Sequence, residues 1–519
     1  MPVIARRRAA AALIAAMAVA TSMAACGTTV PKAKRQAALT SGSGGDLGTP
    51  SGYVGAPDPG TIAPSTAAGP AVPVSSGTAS SGVAVGGPVA PVTTTTTGPA
   101  STSAHSSAPT TTRTTHSSSA AASTAAAPPG PIKIGMGYLD AGASNAVVSG
   151  IGKGLAVADL KAETDAYVAD VNIHGGVLGR PLKMVYYKGS TSDSLQAIGQ
   201  GLCATETQDD HVTVSVDANY GGVVFPCMAK AGIPTVSPAI DGLTDADYAQ
   251  FPLVMQPDSM SLDRLATLEV TQFAAMGYKP VAPQRLGILY YDSASFTHGF
   301  QAVKAAWAAQ GVSVADAVAI HNFNTVSEIA GLEAAVQGAE LKFRSEGITH
   351  VMCVETNAFM CGFFGIYANS QGYRPRYAYT SDQPLTNVLA NVPAASLAGS
   401  IFVGWNPPQD LNDVSAMPAG VQSCFSFMNK HGFATDSGNQ RDGAASICET
   451  IDYIVAAIKA GGAPTSQGLI AGEHKLGSSF KSRRVLAVGP RPDGVAQVRQ
   501  GAYDPACACF KYTSPPITP

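Results

Sequence analysis

The segment Asn172-Ile173-His174-Gly175-Gly176-Val177-Leu178-Gly179-Arg180-Pro181 joins the end of an amphipathic helix to the start of a strand. The helix is predicted from Gly152 to Ile173, because apolar side chains recur there at three- and four-residue spacing. Gly175 and Gly176 suit the left-handed conformation that closes a helix, and a strand is predicted directly after them at Leu182–Tyr187. This pattern predicts a strand, helix and strand unit of an open α/β fold.

Four units of a strand and a helix follow one another, from a first strand at Ile132–Tyr138 to a fourth at Pro234–Ser237, which predicts a parallel sheet. After about Gln256 the pattern repeats, with strands predicted at Leu286–Tyr291, Ala317–His321, Thr349–Val354 and Arg376–Thr380. Two similar α/β lobes are therefore expected. The Gly-x-Gly of the first strand lacks the third glycine of a dinucleotide-binding motif, so no cofactor is expected.

Two stretches of the chain resemble a known family. Asp-Val-Asn-x-x-Gly-Gly-Val-Leu-Gly-Arg at Asp170–Arg180 resembles the first helix-to-strand junction of the type I periplasmic binding proteins, the leucine/isoleucine/valine-binding family of receptors associated with ABC transporters. Ala231–Ala239 is similar to the end of that family's third helix and its fourth strand. The resemblance covers about Pro131 to Phe510.

The resemblance implies two Rossmann-like lobes with parallel sheets, joined by a hinge of three segments. In such a fold we expect residues 131–256 and 400–485 to form lobe 1, and residues 257–399 and 486–519 to form lobe 2. The family often has an arginine after the fourth strand and an acidic residue after the second, where this chain has Gln256 and Lys188. These departures bear on the ligand class more than on the fold.

The first 26 residues have the pattern of an export signal. A basic start precedes an apolar run, and Ser22-Met23-Ala24-Ala25-Cys26 resembles a bacterial lipobox with Met23 in the usual place of leucine. The alternative is a plain secretory signal with a chance cysteine. Lipid on Cys26 would anchor the chain to the outer face of the bacterial cell membrane, and no transmembrane helix is expected because no second apolar run reaches about 18 residues.

Residues 27–130 are rich in Ser, Thr, Ala, Gly and Pro and are predicted to be a disordered tether, either O-glycosylated or unmodified. The chain carries a net charge of −3 and has no basic cluster beyond the signal. Neither nucleic acid nor an anionic membrane surface is therefore an expected partner. The expected partners are a small-molecule ligand and an ABC permease, and a monomer is expected.

Nine cysteines occur, and assigning Cys26 to lipid leaves an even eight in an exported chain, which suits four disulfides. Neighbours in sequence suggest the pairs Cys203 with Cys227, Cys353 with Cys361, Cys424 with Cys448, and Cys507 with Cys509. Only the first pair is also implied by the resemblance, and the connectivity does not follow from spacing. A metal site is the competing interpretation, which the absence of Cys-x-x-Cys and the scattered histidines disfavour.

Ligand chemistry is expected beyond the carboxyl ends of the strands, where open parallel sheets bind ligands. In lobe 1 the candidates are Tyr138, Asn219, Tyr220, Ser237 and Ala239. Ser237 and Ala239 lie where the family contacts a ligand carboxylate, although Ser237 is equally consistent with an ordinary turn serine. Tyr138 and Tyr220 either line a pocket or pack in the core.

In lobe 2 the candidates are Phe296, Thr356 and Asp382, with Trp405 as a further aromatic residue. Asp382 stands near the family's acidic residue and is the candidate acceptor for a ligand ammonium group. Asp292 and Glu355 are rivals, and an acid without a ligand is the plain alternative. Phe296 and Trp405 are pocket or packing residues.

The resemblance implies a non-enzymatic, lipid-anchored solute-binding protein that captures an amino acid or amide between two lobes for an ABC-type transporter. A second hypothesis keeps the fold for a ligand sensor or cell-envelope interaction lipoprotein without transport. A hydrolase is disfavoured, because the sequence has no Gly-x-Ser-x-Gly, no His-Glu-x-x-His and no Walker loop.

Overall fold

The computed structural model describes residues 130–148, 156–217, 221–238, 242–323, 325 and 328–519. The predicted signal, the tether and Cys26 lie outside the described residues, as do the candidates Asn219, Tyr220 and Ala239.

The first sheet has five parallel strands in the order β2-β1-β3-β4-β5. These strands are β1 (Ile132–Leu139), β2 (Leu182–Gly189), β3 (Val214–Val216), β4 (Thr235–Val236) and β5 (Val254–Met255). The α-helices described between these strands are α1 (Ala141–Val148), α2 (Leu160–Ile173), α3 (Leu195–Ala204), α4 (Gly221–Ala231) and α5 (Asp245–Gln250). The predicted parallel sheet of the first lobe is therefore present, with one further strand, β5.

Helix α2 begins at Leu160 and not at Gly152, because residues 156–159 are not helical and Asp159 forms the cap. The Asp159 carboxylate accepts the N–H of Ala162, as an N-cap side chain does. The helix closes as predicted, since Gly175 and Gly176 have φ angles of 96° and 66°. A side chain at Gly176 would also meet the Arg180 carbonyl oxygen 2.1 Å from its Cβ, so this turn requires glycine.

The second sheet has seven strands in the order β12-β11-β10-β9-β8-β6-β7. They are β6 (Leu286–Tyr291), β7 (Val314–Ile320), β8 (His350–Val354), β9 (Arg376–Thr380), β10 (Ile401–Gly404), β11 (Arg499–Asp504) and β12 (Cys509–Tyr512). Strands β6 to β10 pair in parallel, whereas β11 and β12 are antiparallel. The associated helices are α6 (Leu262–Ala275), α7 (Ala294–Ala309), α8 (Ile329–Ser345), α9 (Phe359–Ser370), α10 (Leu385–Asn391) and α11 (Ala394–Leu397).

Four helices follow β10 along the chain: α12 (Pro407–Asp410), α13 (Ala419–Lys430), α14 (Gly438–Gly461) and α15 (Ser466–Leu476). Helices α13 and α14 return to the first lobe, where the Tyr167 ring of α2 meets the Phe427 ring and its hydroxyl donates to Asp452. The return comes later than the predicted residue 400. Ile401–Gly404 is fully buried and pairs with β9, so this strand belongs to the second sheet.

Four disulfides join the described cysteines: Cys203–Cys227, Cys353–Cys361, Cys424–Cys448 and Cys507–Cys509. The first connects α3 to α4, and the third connects α13 to α14. In the part of the chain that the structure describes, no helix combines the length and apolar character needed to cross a membrane.

Candidate ligand-binding site

The chain passes between the two sheets three times, and the three crossing segments are hydrogen-bonded to one another. The first crossing follows β5, and Gln256 within it accepts the N–H of Gly494 in the third crossing at 2.8 Å. The Trp405 carbonyl in the second crossing accepts the N–H of Leu486 in the third at 2.9 Å. These three segments, which together form the hinge, are therefore held to one another by backbone hydrogen bonds.

Arg484 is the central charged side chain of this hinge and is only 1% exposed. Its Nε and Nη2 donate to Asp442 Oδ1 of α14 at 3.0 and 2.8 Å, and its Nη1 donates to Asp258 Oδ2 of the first crossing. The Asp258 carbonyl in turn accepts the Trp405 indole N–H at 3.2 Å. Burial raises the pKa of Asp258, and the Arg484 guanidinium opposes that rise.

Ion pairs on Asp493 tie the third crossing to the start of helix α6. Asp493 is buried, and its carboxylate accepts from Arg264 Nε and Arg491 Nε, both at 2.7 Å. The Arg264 guanidinium also donates to the Val495 carbonyl at 2.8 Å.

A cavity of about 250 Å³ lies beside this hinge in the first lobe, between the sheet and helices α2 and α14. Its walls are mainly apolar and comprise Met136, Val157, Ala158, Leu160, Met184, Val216, Pro238, Ile447 and Ile451. Val216 is the last residue of β3 and Pro238 follows β4, so the cavity reaches the carboxyl ends of the strands. This is where parallel sheets bind ligands.

Polar side chains form one part of this cavity wall. Arg484 and Asp442 contribute their ion pair, and Asn439, Ser446 and Thr450 contribute an amide and two hydroxyls. Thr450 is 4% exposed and makes no hydrogen bond through its hydroxyl within the described residues. The cavity thus has an apolar body and a polar end.

Direct hydrogen bonds join the lobes next to this cavity and at the α5 edge of the first lobe. Asn387 of α10 donates its side-chain N–H to Asn439 Oδ1 of α14 at 2.7 Å. Ser295 of α7 donates to Asp247 of α5 at 3.2 Å. These contacts hold the lobes together across their facing edges.

Among the lobe 1 candidates, Tyr138 is half-buried at the end of β1, with its ring edge-on to Tyr186 at 5.6 Å between centroids. Ser237 is buried, and its hydroxyl accepts from the Gln256 side chain at 3.2 Å. Gln256 accepts in turn from the Tyr248 hydroxyl, so Ser237 belongs to a buried polar chain. Neither Tyr138 nor Ser237 lines the cavity, although Pro238 beside Ser237 does.

Three of the four other candidates are buried, and Thr356 is half-buried. Phe296 packs so closely on Gly242 that a Cβ there would lie 2.8 Å from its ring. Trp405 is enclosed in the hinge, where it bonds Asp258. The structure brings none of the described candidates to the cavity beside Arg484.

Asp382 lines a different and much smaller cavity of about 10 Å³ in the second lobe. It is 8% exposed, and Glu269 of α6, which is 7% exposed, lines the same space. Burial raises the pKa of Asp382 to about 7, with Asp258 and Asp410 adding to the rise. Burial also raises the pKa of Glu269 well above its usual range. This space holds about one water molecule.

The two rival acids of lobe 2 are engaged by neighbouring groups. Asp292 accepts from the His321 ring and from the Asn322 N–H at 3.1 Å. Glu355 accepts the N–H groups of Met360 and Cys361 at the start of α9. Glu355 also lies close to Cys353 and Cys361, but these sulfurs form a disulfide and are not free to bind a metal.

Sequence reasoning missed Arg484, Asp442 and Asn439 as site residues. The available signal was a pair of adjacent arginines, Arg483 and Arg484, in an otherwise weakly charged chain. Their partners lie far away in sequence, so the pattern alone does not separate the buried arginine from its neighbour.

No family model matches this chain, and no curated protein sequence matches it. Solved structures do match. A substrate-binding periplasmic protein from Ralstonia solanacearum is 17% identical with a TM-score of 0.55, over 74% of this chain and 100% of that one. A solute-binding protein of an R. palustris ABC transporter, in complex with 4-hydroxybenzoate, is 15% identical with a TM-score of 0.55, over 75% and 97% of the two chains.

A branched-chain amino acid ABC transporter structure from Thermus thermophilus with bound valine is 13% identical with a TM-score of 0.55, over 75% of this chain and 97% of that chain. Likeness at this identity concerns the fold. The described lobes have the two-lobed α/β fold of the type I periplasmic binding proteins.

Proposed function

We propose that this protein is a non-enzymatic solute-binding protein that captures a small polar molecule of the amino acid or amide class between its lobes for an ABC-type transporter. The observation that carries the proposal is the cavity of about 250 Å³ at the carboxyl ends of the first sheet, directly beside the hinge. A ligand there would contact both the first lobe and the crossing segment that contains Arg484. Because Arg484 lies in the hinge, a ligand that contacts it would shift the lobes toward a closed arrangement, and a permease would distinguish that arrangement from the open form.

In this proposal residues 1–26 are the export signal, Cys26 carries lipid, and residues 27–130 are the tether to the outer face of the cell membrane. The proposal keeps residues 131–256 and 405–485 in lobe 1 and residues 257–404 and 486–519 in lobe 2, with β10 in lobe 2 because it pairs with β9. Asn219, Tyr220, Ala239 and Thr356 remain predicted ligand contacts, and Asp382 remains the predicted ammonium acceptor.

The test is thermal denaturation of the purified full chain against amino acids, amides and small carboxylates, with small-angle X-ray scattering on any compound that shifts the melting temperature. A ligand at 100 times its dissociation constant stabilises by about 2.7 kcal/mol, and closure reduces the radius of gyration. Asp382→Ala tests the sequence-based assignment separately, because Asp382 lines a different cavity: it is expected to abolish the shift only if the ammonium group binds at Asp382 and not beside Arg484.

A matched pair of variants locates the binding. Ser446→Phe places a ring into the cavity, whereas Ser426→Phe places the same ring on the exposed face of α13. Only the first is expected to remove the ligand-induced shift. The proposal would be contradicted if no compound in the library raised the melting temperature or reduced the radius of gyration.

A second candidate is a sensor or envelope-interaction lipoprotein that uses this fold without transport. The observation favouring it is that Phe296 and Trp405 are buried among the protein's own side chains and that Asn387 and Asn439 join the lobes directly. Capture of an envelope partner to the same extent with and without every library compound would support it. Partner binding that requires a ligand would support transport.

A further inference from the structure

We infer that the ligand of the cavity beside Arg484 has an apolar body and a nitrogen head group that donates hydrogen bonds, an amide or amine rather than a carboxylate. The inference rests on the proposed function and narrows its ligand class. It follows from the wall of the cavity, the charges at its polar end and the hydrogen-bonding groups left free there.

The apolar wall sets the body of the ligand. Met136, Leu160, Met184, Val216 and Ile451 enclose most of the space. A dry cavity of about 150 Å³ is enough to bind benzene, so the volume of about 250 Å³ admits a branched aliphatic or single-ring body. A fully polar molecule would leave these side chains without apolar contacts.

The charges at the polar end are unfavourable to an anion. All three nitrogens of Arg484 donate a hydrogen bond to a carboxylate, since Nε and Nη2 bind Asp442 and Nη1 binds Asp258. One guanidinium therefore stands against two carboxylates. Two further buried acids feel the charge of Asp258: the pKa of Asp382 and that of Glu449 are both raised, mainly by burial and further by Asp258. A carboxylate ligand would enter this negative field, and Arg484, the one cation among the described residues that line the cavity, is already paired with two carboxylates.

The groups left free at this end match a nitrogen head group. Asp442 uses only Oδ1 for Arg484, and its Oδ2 makes no hydrogen bond within the described residues. Asn439 accepts from Asn387 through Oδ1, which leaves its side-chain N–H groups to donate. An amide can donate its N–H to Asp442 and accept from Asn439, and an ammonium can donate to Asp442 and the Thr450 hydroxyl.

The test uses two series of probes, each with one apolar body and an amide, amine or carboxylate head group. The branched aliphatic series is isovaleramide, isoamylamine and isovalerate, and the ring series is benzamide, benzylamine and benzoate. Binding to the full chain is measured by calorimetry and by the shift in melting temperature. We expect the amide or the amine of at least one series to bind at least tenfold more tightly than its carboxylate. We also expect Ser446→Phe to abolish that binding while Ser426→Phe leaves it intact.

Asp442→Asn supplies a second readout, because it removes one carboxylate and leaves Arg484 with Asp258 alone. The amine is expected to lose at least tenfold in affinity and the carboxylate is expected to gain. Carboxylates that bind the native chain more tightly than their amides and amines would overturn the inference and leave the solute-binding function standing. Binding that survives Ser446→Phe would also overturn it. Binding of none of the six probes would overturn the inference, whereas the proposed function falls only if the whole compound library also fails to shift the melting temperature.

Discussion

Arg484 is the residue whose replacement we expect to weaken the fold most. Arg484→Met keeps much of the side-chain length but leaves Asp258, which is 1% exposed, with an unpaired carboxylate. Breaking a buried ion pair by removing one partner costs about 3–5 kcal/mol, because the remaining charge stays buried without compensation. The measurement is the free energy of unfolding from urea titration of the full chain.

Arg491→Met is the matched control in the same crossing segment. Arg491 also binds a buried carboxylate, that of Asp493, but its own side chain is 55% exposed and Arg264 remains as a second partner. The loss is expected to stay below about 1 kcal/mol. Equal losses in the two variants would show that burial of Arg484 does not determine its contribution.

Single residues show where sequence reasoning reaches its limit. The left-handed turn at Gly175 and Gly176 was predictable, because it depends on neighbours within a few positions. The burial of Trp405 was not predictable in the same way, because its partner Asp258 lies 147 positions away. Arg484 likewise depends on Asp258, 226 positions away.

At the scale of elements, helices α14 and α15 pack backbone against backbone. A Cβ added at Gly472 would lie 1.7 Å from the Ala457 carbonyl oxygen, so even a methyl group forces the helices apart. We expect Gly472→Ala to lower the free energy of unfolding by about 1–3 kcal/mol, the usual cost of overpacking. Urea unfolding followed by circular dichroism measures it.

Gly338→Ala in α8 makes the same chemical change without the clash. No atom outside its own helix lies within 4 Å of a Cβ at that position. Alanine is the better helix former, so this variant is expected to gain up to about 1 kcal/mol. A loss in Gly338→Ala would contradict the gain expected from helix propensity, and a Gly472→Ala variant as stable as the native chain would contradict the clash.

Elements with strong local patterns were predictable, as the strands at Leu286–Tyr291 and Arg376–Thr380 show by matching the structure at both ends. The start of α2 was not, since apolar spacing continued through residues before the Asp159 cap. Strand β5 is only two residues long and carries no periodic pattern of its own. It exists because its neighbour β4 offers it hydrogen bonds.

At the scale of the whole molecule, several carboxyl groups are buried and have pKa values above their usual range. Burial raises the pKa of six of them to about 7 or 8: Glu163, Glu206, Glu355, Asp382, Asp410 and Glu449. In the unfolded chain these groups have pKa values of about 4, so between these limits the folded state holds protons that the unfolded state releases. The free energy of unfolding is therefore expected to fall as the pH rises from about 5 to about 8.5.

Glu206→Gln tests the origin of this slope, because it replaces a buried acid beside Ser215 and Asp217 with a neutral side chain of the same shape. It is expected to change stability little at about pH 5 and to raise it at about pH 8.5. Asp504→Asn is the control, since Lys511 holds the pKa of that exposed acid below its usual range. The measurement is the free energy of unfolding of both variants at the two pH values. A pH dependence in Glu206→Gln equal to that of the native chain would contradict the contribution assigned to Glu206.

The interleaved path of the chain has a consequence for synthesis on the ribosome. The first sheet is complete at Met255, yet helix α14, which covers one side of it, begins only at Gly438. The apolar surface that meets α14 therefore stays open while the second sheet is being translated. We expect chaperones to shield the nascent first lobe from aggregation until α14 has emerged. A chain that stops after β10 is expected to be recovered as aggregate.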